Sequence, residues 1–177
     1  MSILMCLRVA VLAGVALAGI VASGPAHAEP SYSELRARHS NKCVDVAEVS
    51  GATGAAVHQW DCLGPGQRNQ HWALVQIGTS AYYELVARHS GKCLDVVEVS
   101  GATGAQVHQW DCLGQNQHNQ QVRLVAAGAG YYKLVFRHSG KCLDVSEVST
   151  ANGARLHQWD CLGGGQHNQH FRIQTIT

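Results

Sequence analysis

The heptapeptide His-Gln-Trp-Asp-Cys-Leu-Gly occurs three times in this chain, at 58–64, 108–114 and 157–163. It belongs to a longer unit that is itself repeated. Each unit opens on a Tyr-rich strand segment (Tyr32–Leu35, Tyr82–Leu85, Tyr131–Leu134) and an Arg-His-Ser turn at 38–40, 88–90 and 137–139. Lys-Cys-(Val/Leu)-Asp-Val follows at 42–46, 92–96 and 141–145, then a Gly-rich turn, the heptapeptide, and a closing Asn-Gln before a last apolar segment. Cys43 to Cys93 spans 50 residues and Cys93 to Cys142 spans 49. A unit of this size cannot enclose a core alone, but three packed about one axis can. Similar units with no distinctive caps fit a closed ring better than an open solenoid, whose ends would be ragged. Short apolar segments between Gly, Ser and Asn turns predict an all-β fold.

Ahead of the repeats, residues 1–28 read as a secretory signal peptide. Arg8 supplies the positive start, Val9–Ala22 is apolar but too short to span a bilayer, and Ala26-His27-Ala28 is a cleavage pattern. Cys6 leaves with it. The expected mature domain is 29–177, with repeats at about 31–80, 81–129 and 130–177. It is expected to be extracellular, a monomer, and free of the membrane after cleavage. Charged residues make up only 14% and the formal charge is +1. A phosphate-binding surface needs a cationic excess, so nucleic acid is excluded as the main partner.

Six cysteines remain: Cys43, Cys62, Cys93, Cys112, Cys142 and Cys161. An even number in an exported chain implies disulfides, and six permit 15 pairings. With no Cys-x-x-Cys pair, zinc is disfavoured and no metal or cofactor is expected. Suppose that Cys43 and Cys62 bridge the arms of one hairpin. Antiparallel register then sets Asp45 opposite Trp60 and Ala47 opposite His58, with a turn near Ala52-Thr53. Residues two apart share a face, so Cys43, Asp45, Trp60 and Cys62 project together. The other face mixes Val44, Val46 and Val57 with Gln59 and Asp61, which predicts a partly buried or bulged hairpin. A bridge closing so short a loop stabilises by about 3 kcal/mol in the chain-entropy model.

A carboxylate beside an indole suits a sugar ring. The indole face stacks on the ring's C–H patch, and the carboxylate accepts from hydroxyls on its edge. The expected sugar-binding set is Asp45, His58, Trp60, Asn69 and Gln70 in the first unit. It returns as Asp95, His108, Trp110, Asn119 and Gln120, and as Asp144, His157, Trp159, Asn168 and Gln169. Gln70 is expected to brace Asp45. A lone Trp would read as core, and a lone Asp or Asn as a turn residue. The return of the complete polar set in every unit favours a site.

These segments, with the closing Gln70-His71-Trp72, resemble the ricin-type β-trefoil lectin domain across about Ser31 to Ile173. The resemblance implies twelve strands in three four-stranded repeats with pseudo-threefold symmetry. It also implies the pairings Cys43–Cys62, Cys93–Cys112 and Cys142–Cys161, and a shallow sugar pocket per repeat. The ligands it implies are galactosides, xylan or arabinan, or glycoprotein glycans. Two departures stand out. The Gln-x-Trp aromatic, a core position in that family, becomes Val122 and Phe171 in the later repeats. The position two before the platform Trp, commonly Gln there, is His58, His108 and His157. It either touches sugar or lines the rim, and the rim is favoured. His39, His89 and His138 read as structural turn residues.

No Gly-x-Ser-x-Gly, phosphate loop or His-Glu-x-x-His occurs, so a non-enzymatic binding protein is expected. The alternative is a secreted protein-binding trefoil, an inhibitor or interaction module, which would have no need of the same polar set three times.

Overall fold

A computed structural model describes residues 31–176. The signal-peptide reading of residues 1–28 lies outside them. Twelve strands run in order: β1 Tyr32–Ala37, β2 Cys43–Val46, β3 Val57–Trp60, β4 His71–Gln76, β5 Tyr82–Ala87, β6 Cys93–Val96, β7 Val107–Trp110, β8 Gln121–Ala126, β9 Tyr132–Phe136, β10 Cys142–Val145, β11 Leu156–Trp159 and β12 Phe171–Thr175. Four strands per repeat make a β-trefoil. Among these residues no helix is long and apolar enough to cross a membrane.

Six strands close on themselves. β1 pairs with β4 and β12, β5 with β4 and β8, and β9 with β8 and β12. Closure removes free edges, which a small β protein would otherwise expose to aggregation. The hairpins β2–β3, β6–β7 and β10–β11 gather beyond this barrel and touch one another through the bridges Ala56–His108, His58–Arg155 and Gln106–His157. The core is drawn equally from the repeats: Leu35, Leu85 and Leu134 from the opening strands, and Trp72, Val122 and Phe171 from the closing ones, all buried. The Gln-x-Trp position is thus a packing position. At Trp72 the buried indole N–H also donates to Val44 O at 3.0 Å, so its polar edge is satisfied.

The three disulfides are Cys43–Cys62, Cys93–Cys112 and Cys142–Cys161, as the resemblance implied. The hairpin register differs from the arithmetic by two residues. Cys43 pairs with Trp60 and Asp45 with His58, and the later repeats follow. The cause is local. Strand β2 stops at Val46, and a 3-10 turn at Ala47–Val49 takes up chain on the first arm before the glycine turn. Cys62 lies beyond the end of β3 and closes the bridge from outside the ladder. A shift of two preserves the face of every side chain, so Asp45 and Trp60 still project together.

The expectation of a partly buried or bulged hairpin fails at Gln59. This side chain is buried and fully bonded. Its amide donates to Ser149 O (2.7 Å) and Ala151 O (2.9 Å) of the third repeat, and its carbonyl accepts from Ser40 Oγ (2.7 Å). Gln109 and Gln158 repeat the arrangement, each reaching the repeat before its own. His39, His89 and His138 act likewise, bonding Ser149 O, Ser50 O and Ser100 O. Asp61, past the end of the strand, is exposed and pairs with Lys42.

The barrel also carries a natural internal comparison. His71, Gln121 and His170 occupy the same position in the three repeats, and all are buried. Burial depresses the pKa of His71 and His170, and nearby positive charge (Arg88 and Arg68 at His71, Lys133 and Arg38 at His170) adds to this. A base held below its unfolded value of about 6.5 stabilises fully above that pH and loses its contribution as pH falls through the folded value. The double variant His71→Gln, His170→Gln copies what the second repeat already does. Its melting temperature should fall less between pH 7 and pH 5 than that of the parent. Parallel melting curves would show that these histidines do not set the acid response.

Candidate functional site

Each hairpin opens a concave pocket of about 400–460 Å³ on the surface of the trefoil. In the first repeat Asp45 comes from β2, Glu48 and Val49 from the 3-10 turn, and His58 and Trp60 from β3. Leu63, Gln67 and Asn69 complete it from the loop before β4. The other two pockets place the corresponding residues around Asp95 and Trp110, and around Asp144 and Trp159.

The platform indoles are open to solvent. Trp60, Trp110 and Trp159 are 38–39% exposed, whereas Trp72 is fully buried. Strand alternation explains the difference, because the platform indole sits on the hairpin's outward face while Trp72 faces the barrel interior. The far edge of each indole rests against a glycine turn of another repeat. Gly153 meets Trp60, Gly54 meets Trp110 and Gly104 meets Trp159, with 3.5–3.9 Å left for a Cβ. These glycines have φ of 83–87°, a left-handed conformation that other residues adopt at a cost.

Behind the platform the carboxylate is a hub. Asp45 Oδ1 is bonded by His58 Nε2 at 2.9 Å, and Oδ2 accepts from Asn69 Nδ2 (2.9 Å) and Gln70 Nε2 (2.8 Å). Asp144 has the same three partners, while Asp95 is held by His108 and Gln120. A carboxylate has about four acceptor sites, so Asp45 keeps about one for a ligand.

The bracing expected of Gln70 is present, and the expectation for Asn69 changes. Gln70, Gln120 and Gln169 are buried behind the carboxylates and do not line the pockets, so their role is to brace. Gln70 also spans Asp61 O and Leu63 N, tying the loop to the hub. Asn69 does line its pocket, but both its amide hydrogens are committed, to Asp45 and to Val46 O, and it has none for a ligand. His58, His108 and His157 line the pockets directly. Each bonds its Asp, and its ring stacks on the platform indole at 5.1–5.4 Å. The His therefore widens the aromatic floor and fixes the carboxylate at once. It occurs in every copy of the heptapeptide, but its register partner could not be read without the position of the 3-10 turn.

That turn supplies residues the sequence reading did not place in the site. Glu48 and Val49, Glu98 and Val99, and Glu147 and Val148 all have φ between 51° and 59°. A β-branched residue there is a true outlier and costs about 1–3 kcal/mol. The only signal was a Glu-Val-Ser shared by all three repeats ahead of the glycine turn. Among the described residues the one cluster with metal-ligand spacing is Glu34 with Cys43 and Cys62, whose sulfurs are joined to each other.

A barrel of six strands capped by three hairpins, with one pocket per repeat, defines a threefold binding trefoil. The chain belongs to the ricin-type β-trefoil lectin domain family: the family model of that description matches residues 81–177, and a domain-like model of the same type matches 21–110. A designed 3-fold symmetric protein, ThreeFoil, is 50% identical, with 81% of this chain and 97% of that one covered and a TM-score of 0.75. An exo-β-1,3-galactanase from Clostridium thermocellum is 32% identical at a TM-score of 0.76. The match covers 84% of this chain but only 31% of the galactanase. The C-half of an earthworm R-type lectin, solved with GalNAc, shares the fold at 19% identity (82% and 99% covered, TM-score 0.64). Comparison with curated proteins finds no match.

Proposed function

We propose that the protein is a secreted lectin whose three shallow pockets each hold one sugar residue, of galactose type, on a polysaccharide or glycoprotein. The observation that carries this reading is the exposed indole beside a braced carboxylate, present in three concave pockets. Likeness to part of a galactanase supports the choice of sugar. The signal-type residues 1–28 support export, as do three disulfides, which persist in oxidising compartments. The role is binding, not hydrolysis, since glycoside hydrolysis needs two working carboxylates and in each pocket the Asp is largely committed to its own side-chain partners.

Valence gives the mechanism. A single open site with a Kd near 1 mM corresponds to about −4 kcal/mol. Three on one rigid body raise avidity by about 10²–10⁴ on a polyvalent glycan when the spacing fits. The protein then adheres to or cross-links its target. A glycan array followed by calorimetry should give a stoichiometry near three, falling stepwise with Asp45→Ala, Asp95→Ala and Asp144→Ala, each checked by circular dichroism. Full binding by a folded triple variant would reject these sites. Capture of a protein that free sugar does not compete away would favour a protein-binding trefoil instead.

A further inference from the structure

We infer that the three pockets select sugars carrying a free, protonated amine over the neutral and anionic sugars of the same ring. This rests on the pockets being sugar sites, as proposed above, and concerns which sugars they prefer.

The argument is an inventory of donors and acceptors. Each pocket retains acceptor capacity on its Asp, about one site on Asp45 and Asp144 and about two on Asp95. It also presents a whole second carboxylate, on Glu48, Glu98 or Glu147, which is exposed and makes no hydrogen bond or ion pair among the described residues. The His ring is bonded through Nε2 to the Asp, which assigns the hydrogen to Nε2 and leaves Nδ1 as an acceptor. In the third pocket the buried Oδ1 of Asn168 has no partner. The corresponding oxygens of Asn69 and Asn119 are each met by a Gln amide at 2.8 Å. A buried acceptor without a donor is costly, and a ligand that brings one relieves the cost.

Donors are scarce by comparison. Asn69 and Asn168 have both amide hydrogens committed and Asn119 has one of its two, and no Lys or Arg lines any of the three pockets among the described residues. Lys42 is engaged by Asp61, and Arg68 follows Gln67 in the chain without lining the pocket. The chain as a whole carries +1, so the negative character is local to the pockets. An ammonium group offers three donors, no acceptor and one positive charge, and it is also attracted to the face of an indole. A uronic or sulfated sugar would meet two carboxylates and no compensating cation. The left-handed backbone at Glu48-Val49 seats the second carboxylate on the pocket edge, where the ring substituents of a stacked sugar lie.

Calorimetry with galactose, galactosamine, N-acetylgalactosamine and galacturonic acid tests this. At low salt the amine should bind about five- to tenfold tighter than galactose. Acetylation should cancel the gain, and the uronic acid should bind weakest. The preference should shrink toward unity at about 1 M salt, where charges are screened within about 3 Å. In the triple variant Glu48→Gln, Glu98→Gln, Glu147→Gln, the ratio of amine to neutral affinity should fall toward one. Equal binding of galactose and galactosamine would overturn the inference and leave the lectin reading standing. Failure of all four sugars and of the glycan array would overturn both. A preference that survives the triple variant would overturn the role given to the glutamates.

Discussion

Replacing Trp60, Trp110 and Trp159 together by Ala is expected to abolish measurable glycan binding while leaving the protein folded. The indoles are more than a third exposed, and the hub of Asp, His, Asn and Gln behind them remains whole. Removing the platform takes away the apolar contact that a stacked sugar makes, about 2 kcal/mol per site. From a site worth about −4 kcal/mol, that weakens Kd by roughly thirtyfold and places it in the tens of millimolar. Single variants should lower the stoichiometry from three to two and cost far more on a polyvalent surface than on free sugar, because avidity depends on simultaneous engagement. Calorimetry on monosaccharide and retention on immobilised polysaccharide separate the two effects. A triple variant that still binds would mean that the sugar is held without stacking.

The largest loss of stability is expected at a residue that touches no ligand. Gln59→Leu leaves Ser149 O and Ala151 O without their donor and Ser40 without its acceptor, all at an interface between repeats. Leaving buried polar groups unpaired costs about 1–3 kcal/mol each, so a loss of about 3–5 kcal/mol is expected after partial relaxation. Leu is apolar and similar in size, so the effect cannot be a cavity. Urea denaturation measures it, and the m-value tells whether unfolding is still concerted. The Ser149–Ala151 segment leads into Gly153, which backs Trp60. The first pocket should therefore weaken along with the fold. A loss below about 1 kcal/mol would show that these amides do not join the repeats.

The threefold pattern made a closed all-β ring legible before any coordinates, since a unit with a small core has few ways to close, and the resemblance to the ricin-type family implied that the ring is a trefoil. The faces of Asp45 and Trp60 were legible too, because strand alternation survives any even shift of register. The register itself was not. It is set by a three-residue turn whose left-handed Glu and Val are residues that ordinarily avoid that conformation. Gln59 was misread for a related reason. Alternation tells which face a polar residue is on, but not that another repeat offers it two carbonyls and a hydroxyl. The loaded carboxylate hides in the same way. The sequence names Asp45, His58, Asn69 and Gln70, and only their convergence shows that most of the acid's capacity is consumed within the protein.

The glycine turns behind the indoles are borrowed in a circle, with the third repeat serving the first, the first serving the second and the second serving the third. Ownership of a binding site is therefore shared between neighbours. Losing the third repeat would cost the first site its backstop as well as opening the six-strand barrel.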